Sequence, residues 1–179
     1  ENADFIAAAD VFLTQLEQPV NVAHEGLITA KRNGKITILN PAPAAELPKE
    51  VFEVCDYITP NETEAEAITG LPVRNEAEAE SAAQSLVGLG VKTPIITMGE
   101  QGAFLSGYGM VSAFDAGPVV ETTGAGDAFN GAFAVALSEG MSAVDAVRFG
   151  CATAAISVTR PGTAPSMPTR DEVEQLLRG

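Results

Sequence analysis

Two rhythms of apolar and polar positions alternate along the chain. Residues 11–16 (VFLTQL), 35–40 (KITILN), 56–59 (DYIT) and 93–99 (TPIITMG) are short apolar runs that read as strands. Between them, residues 19–34 (PVNVAHEGLITAKRNG) read as a helix ending at Gly34, and residues 61–70 (NETEAEAITG) and 75–90 as two more. The three prolines of PAPAAELP, residues 41–48, forbid regular structure there. Residues 103–114 predict a hairpin turning around Tyr108 and Gly109. From Gly124 onward the pattern is nearly all helical, with Ser142 and Thr169 as N-caps of later helices. Such alternation predicts an α/β fold with a largely parallel sheet flanked by helices on both faces. No internal repeat or low-complexity linker interrupts it. The chain opens within two turns of a strand with no preceding helix to flank it, as in the later part of a longer α/β protein.

Composition narrows the partners. The 179 residues suit one domain, and 46% hydrophobic against 19% charged residues can bury a real core. Ten basic and 24 acidic residues give a net charge of -14, which repels nucleic acid and anionic membranes. An anionic small ligand then needs local backbone donors or a metal to hold it. No apolar run approaches the roughly 20 residues of a membrane span. The opening residues, ENADFIAAADVF, put no basic region before an apolar stretch, so no signal peptide is expected. Cys55 and Cys151 fit no metal spacing and are expected to be buried, reduced thiols of a cytoplasmic protein.

Residues 121–133, ETTGAGDAFNGAF, carry the sharpest signal. Ala125, Ala128, Phe129, Ala132, Phe133, Ala136 and Leu137 form one helical stripe, and Asp127 sits in the first turn off that stripe. An acid there can simply complement the helix dipole. It can also be a general base beside an anion hole built from the N–H groups of Gly124, Ala125, Gly126 and Asp127. A cap alone rarely needs two glycines with Thr122 and Thr123, which favours the catalytic reading. The stretch is neither a P-loop nor a dinucleotide fingerprint.

Asn61 followed by Glu64 has capping-box spacing, which is the reading that spacing alone favours. The functional alternative puts both on phosphate and a Mg²⁺ shell at the carboxyl edge of the sheet. Gly99 and Gly102 in ITMGEQGAF make either a plain hairpin turn or a turn lying along a nucleotide. His24, the one histidine, is mid-helix and expected at the surface. Glu17 follows a strand at its carboxyl end, where substrate contacts collect.

Taken in order, VVETTGAGDAFNGAF, TPNETEAEAITG, LNPAPA, TMGEQG and AAISVTRPGTAPSMP resemble the ribokinase family of sugar kinases, also called the phosphofructokinase-B family. The resemblance covers the whole chain. It implies ATP-dependent phosphorylation of the primary hydroxyl of D-ribose, with another sugar or nucleoside kinase of the family, or a non-catalytic nucleotide-binding module, as rivals. Asp127 is then the base and a substrate contact, and residues 124–127 hold the transferred phosphoryl group. The carboxylate faces the sugar oxygen while the amides face the phosphate.

The same resemblance implies the remaining roles. Asn61 and Glu64 serve the phosphates and Mg²⁺. Thr97, Met98, Gly99, Glu100, Gln101 and Gly102 line the nucleotide, as do Asn61, Gly126 and Asp127, with Cys151 near the adenine. Glu17 matches a ribose-binding glutamate. A K⁺ site beside the anion hole uses Glu121, Thr123, Ser157, Arg160, Gly162 and Ser166, with Arg160 giving only its backbone carbonyl. Glu121 departs from the family's usual Asp and is one methylene longer. The family's N-terminal Gly-Gly segment and β lid lie outside these residues. Residues 1–179 are therefore expected to be a C-terminal, nucleotide-binding part that forms a homo-oligomer and is nearly inactive alone.

Overall fold

The computed structural model describes residues 2–179 of the chain. Among the described residues it has eight helices and six strands: α1 (Ala3–Ala8), β1 (Val11–Thr14), α2 (Val20–Arg32), β2 (Ile36–Leu39), α3 (Lys49–Glu53), β3 (Tyr57–Ile58), α4 (Glu62–Thr69), α5 (Glu76–Leu89), β4 (Thr93–Thr97), β5 (Gly102–Leu105), β6 (Gly109–Ser112), α6 (Ala125–Ser138), α7 (Ala143–Ser157) and α8 (Arg170–Arg178). The strands make one sheet in chain order, and β1 to β4 pair in parallel with Val11 opposite Ile36, Ile38 opposite Tyr57 and Tyr57 opposite Thr93. Only three residues link β5 to β6, which requires an antiparallel hairpin. The sheet is thus mixed, and its parallel part ends where the expected hairpin begins.

The chain divides into two compact units, one of residues up to 98 with 104–109, the other of residues 99–103 with 110–179. In the first, Leu39 and Ile58 from the strands meet Leu27 of α2, Val51 and Phe52 of α3 and Leu86 of α5. Burying one such side chain stabilises by about 1.5–3 kcal/mol relative to leaving it exposed, before chain entropy is counted. In the second unit the predicted stripe of α6 is buried from Ala128 to Leu137, and the rings of Phe129 and Phe133 stack at 6.0 Å.

Local signals set most boundaries. Asn75 accepts the Glu78 N–H at 3.0 Å to start α5, and the Ser142 hydroxyl accepts the Asp145 N–H at 3.1 Å to start α7. At α8 the bond runs the other way: the Thr169 N–H donates to Glu172 at 2.8 Å.

Two helices were not expected. α1 precedes β1, which corrects the reading that the chain opens without a flanking helix. It is a six-residue, alanine-rich segment with no side-chain cap and no buried residue, and its contact is with α2. α3 follows Pro48 directly and is driven by burial of Val51 and Phe52. Neither is long enough for a periodic pattern to declare it.

Polar pins complete the packing. Buried Thr37 of β2 accepts the Asp56 N–H at 2.8 Å and donates its hydroxyl to Val54 O at 2.7 Å. Burial alone raises the Asp56 carboxyl, but Lys31 at 2.7 Å and the Thr37 N–H outweigh it and hold the group below its ordinary value. Arg160 pairs with Glu172 and ties α8 to the residues that follow α7.

The Thr37→Val variant leaves the Asp56 N–H and Val54 O without their buried partner. It is expected to lose about 1–3 kcal/mol in denaturant unfolding, with Thr37→Ser near the parent. Wild-type stability in Thr37→Val removes the pin. The Glu172 carboxyl is lowered from 4.5 to about 2, first by Arg160 and then by the Thr169 N–H. A lowered folded value means that the stabilisation is complete above 4.5 and is lost as pH falls through about 2. The protection factors of the α8 amides, corrected for the intrinsic pH dependence of exchange, should therefore fall over that window, and Glu172→Gln should flatten the dependence.

Candidate active site

The second unit holds the turn into α6. Gly124 has φ +81°, a left-handed conformation, and a Cβ built there meets Thr163 Cγ2 at 3.1 Å. Both facts favour glycine at this position. The Ala125 N–H closes the turn onto Thr122 O at 3.1 Å. This amide, expected among four anion donors, is engaged within the turn. Gly126 and Asp127 occupy the first turn of α6. Asp127 is exposed while Ala128 and Phe129 next to it are buried, as the stripe predicted. Asn130, which sequence reading missed, is buried and donates to Gly126 O at 2.9 Å. Its signal was a polar residue inside an apolar helical stretch.

Beside this turn the structure gathers most of the expected cation residues. Glu121 accepts the Gly162 N–H at 2.8 Å, and the Thr123 hydroxyl also hydrogen-bonds it. The Gly162 amide, then the Thr123 hydroxyl, hold the Glu121 carboxyl below its ordinary value. The Val120 and Glu121 N–H groups both reach Val158 O, at 2.8 and 3.2 Å. Ser157 and Ser166 donate their hydroxyls to Ala154 O and Thr163 O, at 2.8 and 2.6 Å, which leaves the lone pairs of both hydroxyl oxygens unspent by these bonds. Arg160 has its guanidinium on Glu172, which leaves its backbone for the loop. Thr163, the residue against Gly124, carried no sequence signal.

The first unit carries the carboxyl ends of β1 to β4. Asn61 accepts the Glu64 N–H and Glu64 accepts the Asn61 N–H, both at 2.9 Å, so the capping box is formed. Asn61 also bridges Thr97 in parallel, and the Thr97 N–H donates to Pro60 O at 2.9 Å. Glu17 is exposed after β1. Asn40, the first residue of the NPAPA stretch, is buried; it donates to Thr59 O at 3.0 Å and accepts from Gln15 at 3.2 Å. This amide joins the ends of the first three strands.

After β4, Met98 is buried and Gly99, Glu100 and Gln101 form a 3-10 turn with the last two exposed. A Cβ on Gly102 meets Val111 O at 2.1 Å, so close backbone approach within the hairpin accounts for that glycine. Burial pushes the thiols of Cys151 and Cys55 up to about 12, so neither is a nucleophile at neutral pH. Both are free, as expected. Among the described residues no cluster of three or more His, Cys, Asp or Glu could hold a metal, and no helix is long and apolar enough to cross a membrane.

Comparison with known proteins gives these residues a frame. A ribokinase of Haemophilus influenzae is 45% identical over 175 residues, covering 96% of this chain and 57% of that protein. A deoxyribokinase of Salmonella typhi is 36% identical, covering 98% of this chain and 58% of that protein. The structure of Arabidopsis thaliana ribokinase complexed with ribose and ATP matches at a TM-score of 0.95 and 33% identity, over 99% of this chain and 59% of that one. The chain thus spans under three fifths of the length of these relatives. The family model for pfkB carbohydrate kinases matches residues 1–170, and the chain belongs to the pfkB family of carbohydrate kinases.

Proposed function

We propose that this chain supplies the nucleotide-binding and catalytic-base part of an ATP-dependent kinase that phosphorylates D-ribose at its primary hydroxyl. The observation that carries the reading is an exposed carboxylate, Asp127, in the same helical turn as the Gly126 amide and three residues after the left-handed Gly124. The similarity to ribokinases over nearly the whole chain supports it.

The chemistry follows from that turn. The hydroxyl oxygen of the sugar attacks the γ-phosphorus of ATP, its proton passes to Asp127, and the bond to the β-phosphate oxygen breaks to release ADP. Charge on the transferring group meets the amides at the start of α6, where the helix dipole adds to them. Glu17 orients the sugar. Thr97, Met98, Gly99, Glu100, Gln101 and Gly102 line the nucleotide, Met98 through its backbone because its side chain is buried. Cys151 packs near the adenine as an un-ionised thiol.

Two ions belong to the reading. Asn61 and Glu64 fit a Mg²⁺ shared with phosphates and water, since such ions need few protein ligands. The Glu121 carboxylate, oxygens of Thr123, Ser157, Gly162 and Ser166, and the Arg160 carbonyl form an all-oxygen set that suits K⁺. When bound, Mg²⁺ neutralises phosphate charge and K⁺ adds positive charge beside the amides. Association of chains is supported by β1, which among the described residues pairs with β2 alone.

Similarity to a deoxyribokinase supports a second reading, a 2-deoxyribose kinase. Phosphorylation rates over a sugar panel, measured on the full-length protein, separate the two; no turnover of any sugar ends both.

Asp127→Asn in the full-length protein keeps the shape and the amides but cannot take the proton. Turnover is expected to fall by about 10²–10⁴ with nucleotide affinity little changed. Retention of more than about half of kcat makes Asp127 a dipole-complementing acid only. K⁺ is expected to raise the rate and Na⁺ to raise it less, since carbonyl oxygens here replace a hydration shell. Equal rates in K⁺ and tetramethylammonium buffers remove the cation from the reading.

A further inference from the structure

The hydrogen bond from Gly162 to Glu121 joins residues 41 apart in sequence, and it lies one residue from the contact between Thr163 and Gly124. We propose that Glu121 is a positioning residue: by receiving the Gly162 N–H, it holds residues 162 and 163 against Gly124 and so keeps the phosphoryl-binding turn in shape. The proposal rests on the reading of residues 124–127 as that turn, and its geometry stands without any ion.

Three observations converge. First, the approach is tight: 3.1 Å from a would-be Cβ to Thr163 Cγ2 means that the loop already fills the space over Gly124. Second, Glu121 is held at both ends, by its own N–H on Val158 O at 3.2 Å and by its carboxylate on Gly162 at 2.8 Å. It therefore spans the loop from the end of α7 to residue 162. Third, the Thr123 hydroxyl joins the same carboxylate, and Thr122 O closes the turn by accepting the Ala125 N–H. One side chain thus links residues 120–123, the loop after α7 and the first turn of α6.

Length matters in this arrangement. The carboxylate needs the reach of a glutamate to meet Gly162, and an aspartate on the same backbone falls about one C–C bond short. A charged acceptor also makes the bond stronger than a neutral one. Flexible Gly162, at φ +82°, gains most from being tied.

The test uses the full-length protein in a buffer whose only monovalent cation is tetramethylammonium, with Glu121→Ala, Glu121→Asp and Glu121→Gln. Amide exchange is read at Gly162, Ala125 and Ala128, the last two being hydrogen-bonded within the turn and to Gly124 O. In Glu121→Ala and Glu121→Asp all three amides should exchange faster by about tenfold or more, and Glu121→Gln, which retains an acceptor, should recover most of the protection. Turnover in the same variants should fall in kcat by about tenfold with KM for nucleotide within about twofold. Faster exchange at Gly162 alone, or protection unrestored by Glu121→Gln, overturns the proposal. A parent protein that phosphorylates no sugar ends the kinase reading instead, while the exchange data still decide the role of Glu121.

Discussion

Gly124 takes its left-handed conformation at no steric cost because it has no Cβ, and the space that a Cβ would need is occupied by Thr163. Everything around the candidate site depends on this contact. Gly124 is the N-cap of α6, whose first turn leaves Asp127 exposed while Phe129 is buried. Residues 162 and 163 lie beside it, where the Glu121 carboxylate accepts the Gly162 N–H. A bulkier residue at 124 must displace the loop, strain the turn, or both.

The first unit solves a different problem with the same economy. Parallel strands end in a row, and their carboxyl ends are where open α/β sheets bind ligands. Asn40 satisfies groups from neighbouring strands at that edge, while Thr37 and Asp56 do the same at the opposite ends of β2 and β3. Buried polar groups are costly unless paired. Placing them at the strand ends leaves Leu27, Leu39, Ile58 and Leu86 to pack without interruption between.

How much of this was legible in the chain depends on distance along it. The stripe of α6, the caps at Asn61 and Ser142, and the hairpin around Tyr108 are local patterns, and each appears where spacing put it. α1 and α3 escaped because fewer than two turns cannot display a period, and α3 owes its existence to burial of Val51 and Phe52. At the site, Asp127 and its glycines were visible in one short stretch. Thr163 was not, because its importance comes from lying over a residue 39 positions earlier (163 against 124). The same holds for Glu121 and Gly162: no spacing rule links them. The bond from the Ala125 N–H to Thr122 O was likewise not legible, since no spacing rule announces it.

A net charge of -14 is a poor match for the proposed phosphoryl transfer until the basic residues are followed individually. Lys31 and Lys92 face Asp56, Lys49 faces Glu53, Arg160 faces Glu172, and Arg170 and Arg178 face Glu174, with Arg170 also on Glu139. Among the described residues, six of the ten basic side chains are thus engaged by carboxylates of the chain itself. In the proposed reaction, positive charge for a phosphoryl group has two other sources. Backbone amides at a helix start carry partial positive charge that no carboxylate nearby can titrate away. Bound cations add full charges where oxygen ligands gather. In the proposed reaction the acidic field of the chain opposes the anionic product once its contacts to amides and ions loosen.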